Sequence, residues 1–349
     1  MPTTQKTTIT LEDYWRSVIL QGANVASYKF ALGKSLLELA NEGKSNFTLE
    51  ELAEPFSQHI VEHLGRSEKQ ITRKTPGKFL QACDAFRSGE MSKQRLVETT
   101  ARLGFVNVID AFHNVNRAEI ATRFFIDKRD TPTGGIELTD GIFELVHNYQ
   151  MVNLPHEIES RWRLVETAWL LQMPRNALTV EYDEVGRELF TVDRGMRRTS
   201  ITGCRAALNG YQQGKCFYCY GDISVEAGAP DICHVDHFFP HSLKRHFSHV
   251  THNINGVWNL VLACQDCNLE KWKRAPAWDY LEDLQTRNNF LIYSHHPLRE
   301  TIRQQTGMTT AERADFLRSA WNSAKKQLIH EWQTEAKGPK LFANWRPKI

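Results

Sequence analysis

No apolar run in this chain approaches the roughly 18 residues that a membrane span needs, so no membrane partner is expected. The first ten residues are polar and lack the apolar stretch of a secretory signal, and a cytoplasmic location is expected from that. Low-complexity tracts and internal repeats are absent, which leaves an ordinary globular composition. Net charge is scarce as well. The 43 Lys and Arg residues oppose 41 Asp and Glu, and a balance of +2 is too small to name a partner.

What is present begins with size. At 349 residues, 41% of them hydrophobic, the chain can bury a large core in two domains or more. The first half reads as helical. Thr10 with Asp13 and Thr48 with Glu51 have capping-box spacing, and Leu52, Phe56, Ile60 and Leu64 form an apolar stripe behind the second. Further helices are expected at residues 25–40, from Pro76 through Phe86, and at 92–103 and 155–171. Residues 120–126 suit a strand and 178–192 a hairpin. A basic helix is expected at 197–212, then helices at 278–292 and 309–332, with 337–349 as an exposed arm. The fold class expected is mainly α with a small α+β module. Residues 1–193 would form a helical recognition or regulatory domain, 194–276 the module with its basic lead-in helix, and 277–349 a helical extension. No catalytic motif is visible before about residue 190.

Cysteine usage is more specific. Seven cysteines in a chain without a secretory signal suit metal ligands rather than disulfides. Cys216 with Cys219 and Cys264 with Cys267 are two matched C-x-x-C pairs, the spacing at which four thiolates close one structural zinc site. Cys83, Cys204 and Cys233 fall outside the pairs and read as small apolar packing groups. Between the pairs, Asp236 and His237 place a carboxylate beside an imidazole, the groups that hold a second metal and activate a water. Residues 232–235 and 258–263 read as two strands, and a helix is expected from Asn268 to Arg274. That order brings Asn268 near the strand end bearing Asp236 and His237, suited to one hard cation.

The run from Cys216 and Cys219, through Val235 to Pro240, to Asn259, Cys264, Cys267, Asn268 and Lys271 resembles the HNH family of ββα-metal endonucleases. The match covers residues 214–275, under a fifth of the chain. The resemblance implies a zinc-stapled ββα-metal module in which His237 is the general base. It implies that Asp236 and Asn268 bind the catalytic cation, Mg²⁺ or Mn²⁺, and that Asn259 braces the loop carrying His237. The third family position is Asn268 rather than His, an HNN variant, which shifts the metal preference toward harder ions. Cleavage would leave a 5′ phosphate and a 3′ hydroxyl.

DNA is the expected substrate, with RNA or an RNA–DNA hybrid left open. Between residues 194 and 274 ten Lys and Arg outnumber six Asp and Glu, an excess placed where a phosphate backbone needs it. Lys271, Lys273 and Arg274, on the helix that lies against the duplex in that family, are the first candidate contacts. Lys271 could pack locally instead. Arg194, Arg197, Arg198 and Arg205 form a second candidate stripe. His234, His241, His246, His249 and His252 read as solvated loop residues, and Trp258, Trp272 and Trp278 as core. Two other outcomes are open: a zinc-supported nucleic-acid-binding module without catalysis, and a nuclease held silent by its N-terminal domain until a protein partner binds. The second matches restriction and phage-defence effectors by fold-level analogy alone. One such module cuts one strand, so a double-strand break would need a homodimer or two encounters.

Overall fold

Helix caps set the frame of the N-terminal half. Thr10 and Thr48 each accept a hydrogen bond from the backbone three residues on, while Asp13 and Glu51 each accept one back from the cap residue's N–H. These boxes open helices Leu11–Arg16 and Leu49–Arg66. Helices Tyr28–Ala40, Lys78–Arg87, Lys93–Leu103 and Leu154–Leu170 complete the larger helical set. The computed structural model describes residues 10–21, 25–73, 75–115, 117–132, 134–147, 153–170, 181–183, 188–192, 198–226, 228–247, 253–293 and 298–340. The chain divides into two compact units, one spanning Ile9–Gln172 and the other containing Met173–Ile349. Both are mainly helical with small sheets, and no described helix is long and apolar enough to cross a membrane.

The first unit packs its helices on one apolar core. Phe30, Leu36, Leu52, Phe56 and Ile60 recur at helical spacing and are buried there with Trp15, Phe112, Phe124 and Trp162. A three-stranded antiparallel sheet orders Asn46–Thr48, Gly135–Leu138 and Phe125–Lys128. The strand expected at 120–126 therefore starts only at Phe125. The Phe124 amide donates to His113 Nε2 at 3.0 Å instead of to a neighbouring strand. Polar groups are buried in this unit too, among them Arg16, Gln70 and His63. The His63 ring stacks on Trp162 at 3.4 Å between centroids. Its Nδ1 contacts Glu166 at 2.8 Å and its Nε2 contacts Glu159 at 3.0 Å. A ring with a carboxylate on each nitrogen donates from both, as an imidazolium does. Burial lowers the His63 pKa, but the hydrogen bonds to Glu159 and Glu166 outweigh it and the net direction is up.

The second unit begins, among the described residues, with an antiparallel sheet of Glu181–Asp183, Glu188–Val192 and Arg198–Gly203. Of the expected hairpin, residues 178–180 and the turn lie outside the described residues. The basic helix expected at 197–212 is divided. Residues 198–203, rich in Thr, Ser and Ile, pair as a strand, and the helix runs only over Cys204–Gln212. Next, strand His234–His237 pairs antiparallel with Leu260–Ala263, Asp236 opposite Val261 and His237 opposite Leu260. Helix Gln265–Lys271 follows, so it ends where the sequence had placed its middle, and Lys273 and Arg274 lie beyond it. Helices Trp278–Tyr293, Leu298–Thr306 and Thr310–Gln327 close the unit.

The last helix stops short of the expected Trp332. Leu328 is extended, and Glu331–Trp332 pairs in parallel with Ala275–Pro276. Trp332 is thereby buried, edge-on to Tyr218 with centroids 5.1 Å apart and stacked on Tyr280. The chain then crosses the first cysteine turn. The Lys337 amide donates to the Cys219 carbonyl at 2.6 Å, and Lys340 pairs with Asp283 at 2.8 Å. Of the expected arm, 337–340 is thus fastened down, and 341–349 lies outside the described residues.

Candidate functional site

Two tight turns bring the paired cysteines together. In the first, the Tyr220 amide donates to the Cys216 carbonyl and Tyr220 takes a left-handed φ of 60°. In the second, Cys264 caps helix Gln265–Lys271 and its amide points at Cys216 Sγ, 3.3 Å away. The Phe217 amide donates to the Leu262 carbonyl, tying the first turn to the strand hairpin. The four Sγ atoms of Cys216, Cys219, Cys264 and Cys267 all lie within 4.8 Å of one another, with Cys219 and Cys264 3.8 Å apart. Tetrahedral zinc at about 2.3 Å from each sulfur would space them by about 3.8 Å. The set fits one zinc ion, with no ligand position left open, as in structural sites. Cys83, Cys204 and Cys233 are buried outside the cluster. Burial raises their thiols, Cys233 to about 12, as for packing groups.

Beside the thiolates lies a buried polar network centred on Asp236. Tyr218 donates its hydroxyl to Asp236 Oδ2 at 2.6 Å. Lys271 places its ammonium 2.9 Å from Oδ2 and 3.1 Å from Oδ1, and donates to the His237 carbonyl at 2.8 Å. Burial holds the Tyr218 phenol well above its usual pKa, followed by the Asp236 charge, so it stays a donor. Lys271 is fully buried. Of its two expected places, phosphate contact and local packing, the structure shows the second: no solvent reaches its ammonium, and Asp236 is the charge it meets.

His237 has other partners, as expected for the next residue along a strand. Its Nε2 lies 3.0 Å from Asn255 Oδ1, and its ring packs near Tyr182 and His241. An amide oxygen only accepts, so Nε2 carries a proton and donates it to Asn255. Asn259 holds the surrounding loop. Its Oδ1 accepts from the Phe239 amide at 2.8 Å, and its Nδ2 donates to the Phe239 and Ile254 carbonyls. Glycine is needed in that loop at Gly256, where a Cβ would lie 2.6 Å from the Trp258 ring. Asn268 is half-buried, and its backbone amide donates to the Cys264 carbonyl at 3.1 Å.

Of the remaining candidates, Lys273 and Arg274 are exposed, Arg274 donating to the Glu270 carbonyl. Arg205 donates Nε to the Cys233 carbonyl at 2.7 Å, which anchors helix Cys204–Gln212 to the module. Arg194, Arg197, His249 and His252 lie outside the described residues, as does the Arg198 side chain. His234 pairs on the strand opposite Ala263, and neither it nor His241 belongs to the thiolate cluster. Trp258 is buried, as core residues are, but Trp272 is 70% exposed and Trp278 39%. Their expected place in the core is corrected, because residue 272 turns outward just as Lys271 turns inward. Tyr218 and Asn255 gave no sign in the sequence: one sits in an aromatic turn, the other in an aperiodic polar loop.

No family model matches the chain, and no curated protein or solved structure matches it.

Proposed function

We propose that the second unit is a metal-dependent endonuclease of the HNH type that hydrolyses phosphodiester bonds in DNA. The observation that carries this reading is the four-cysteine cluster bound to a strand hairpin whose end presents His237 with its Nε2 fixed by Asn255. That hydrogen bond orients the imidazole, the side chain whose base chemistry lies near neutral pH. A water gives its proton to the His237 imidazole and its oxygen bonds to phosphorus. The bond to the 3′ oxygen breaks, and that oxygen takes a proton from solvent. The ends are then a 5′ phosphate and a 3′ hydroxyl.

Asp236 and Asn268 would hold a hard cation, Mg²⁺ or Mn²⁺, which neutralises phosphate charge. A carboxylate has about four acceptor sites. Tyr218 and the two contacts of Lys271 occupy three of them, so the pair suits a cation that keeps most of its waters. The same crowding favours a second reading, a zinc-supported nucleic-acid-binding module without catalysis. Plasmid nicking with and without added Mg²⁺ or Mn²⁺ separates the two. Nicking that needs the cation and vanishes in His237→Ala supports the nuclease. DNA binding by a folded, zinc-loaded chain that never nicks selects the binding module.

A further inference from the structure

The end of helix Gln265–Lys271 carries an aromatic side chain that neither burial nor backbone preference accounts for. Trp272 is 70% exposed, whereas Trp15, Trp162, Trp258 and Trp332 are all buried. Its backbone takes φ 44° and ψ −112°, a region that glycine enters freely and L side chains rarely adopt. Strain of this kind persists where the surroundings over-determine it, and it clusters at sites of function. Here the surroundings are explicit. Lys271 is locked inward on Asp236 and the His237 carbonyl, and the reversed φ is what turns the next residue out to solvent. The indole is therefore turned out one residue after Lys271, whose ammonium reaches the His237 carbonyl.

Its neighbours define the chemistry of a ligand. Leu269, three residues earlier on helix Gln265–Lys271, is 64% exposed. Lys273 holds its ammonium 4.9 Å from the Trp272 ring centroid, a cation–π arrangement. Lys273 and Arg274 are both exposed; of the exposed acids on the preceding helix, Glu270 lies beside them and Asp266 is paired with Lys337. A flat apolar ring backed by positive charge matches a nucleobase joined to its phosphate. An apolar protein surface would not need the two cations.

We propose that Trp272 is a base-stacking wedge: its indole stacks on an unpaired or opened base of the nucleic acid, with Lys273 and Arg274 on the flanking phosphates, and so fixes which phosphodiester reaches His237. This rests on the nucleic-acid reading above. The wedge works best where a base is already exposed, so single-stranded or distorted sites bind more tightly than intact duplex.

The test uses the full chain in a His237→Ala background, so that DNA is bound without cleavage, and follows labelled single-stranded and duplex oligonucleotides by fluorescence anisotropy over a salt series. Base–aromatic stacking implies that Trp272→Ala binds single strands about 5- to 150-fold more weakly. Its slope of log affinity against log salt stays unchanged, because no phosphate contact is lost. Trp272→Phe retains most of the affinity, and Lys273→Ala flattens the salt slope. Trp272→Gly relieves the backbone, so it melts no lower than the parent yet binds as weakly as the Ala variant. Zinc content measured on each variant reports that the fold is kept. If Trp272→Ala matches its parent in affinity while the parent binds DNA well, the wedge is overturned and the nuclease proposal stands. If Trp272→Ala instead changes only the sedimentation of the chain, the patch belongs to a second copy and the wedge is likewise overturned. A parent that binds neither DNA nor RNA overturns both.

Discussion

Replacing Lys271 by Met is the sharpest probe of the buried network. The ammonium is fully buried and lies 2.9 and 3.1 Å from the two oxygens of Asp236. Met keeps most of the side-chain volume but removes the charge, so the carboxylate is left inside the protein without its counter-ion. Removing one member of a buried ion pair costs about 3–5 kcal/mol. Asp236 keeps the Tyr218 hydrogen bond at 2.6 Å and is 9% exposed, which places the loss at the lower end, about 3 kcal/mol. For a unit of this size that lowers the melting temperature by roughly 6–12 °C. Calorimetry at fixed zinc should show the loss in the transition of the second unit alone. Adding Asp236→Leu and Tyr218→Phe removes the stranded carboxylate and the hydroxyl that would then lack an acceptor. The triple variant should recover most of the lost stability, since apolar replacement of a whole buried pair is often neutral or better, and it should show no nuclease activity. A Lys271→Met chain that melts with its parent, or a triple variant no more stable than the single one, would refute the assignment of Lys271 as the internal counter-ion.

Three further outcomes are expected. Asn255→Ala frees the His237 ring to take the other tautomer, and kcat for nicking should fall by about 10²-fold with KM unchanged; Asn255→Asp, which still accepts from Nε2, should retain more activity. Cys264→Ser removes one thiolate of four, so zinc content should drop and far-ultraviolet circular dichroism should report unfolding of the second unit. The first unit should show a pH window. The folded pKa of His63 is raised, so its contribution is complete below the unfolded value of about 6.5 and fades as pH rises through the folded one. Burial alone would raise Glu159, but the hydrogen bond to His63 lowers it from 4.5 to about 2, so its contribution is complete above 4.5 and fades toward pH 2. Thermal melts should therefore peak between these limits, and His63→Gln should flatten the alkaline side; a profile indifferent to that substitution would remove His63 from the account.

Periodicity and cap chemistry made the helical frame readable, because both are local. Thr10 and Thr48 mark helix starts within a few residues of themselves, and the Leu52–Leu64 stripe needs only the 3.6-residue repeat. The thiolate cluster was legible for the same reason: each pair is a local turn, and the metal constrains only where the turns meet. What stayed hidden depends on distant partners. Whether Lys271 faces solvent or Asp236 is decided across 35 residues, and a lysine after a cysteine turn looks alike in both cases. The helix expected to reach Trp332 ends at Gln327 because a parallel strand partner at Ala275–Pro276 competes for the chain. Residues 198–203 followed β-branched propensity once Glu188–Val192 was there to pair with them. Trp272 was assigned to the core from hydrophobicity alone, and only the reversed backbone beside Lys271 turns it outward.

The crossing of the first cysteine turn by residues 332–340 bears on how the chain matures. Tyr218 has its hydroxyl on Asp236, but one wall of its ring is Trp332, and the turn beside it is latched by the Lys337 amide. At translation rates of about 5–20 residues per second, these pieces emerge on the order of ten seconds apart. Until then the nascent module has its cysteines and its histidine but not the clasp that seats the phenol. A polypeptide cut off before that clasp would have the four cysteines and His237 without the wall that seats Tyr218 or the latch on the first cysteine turn.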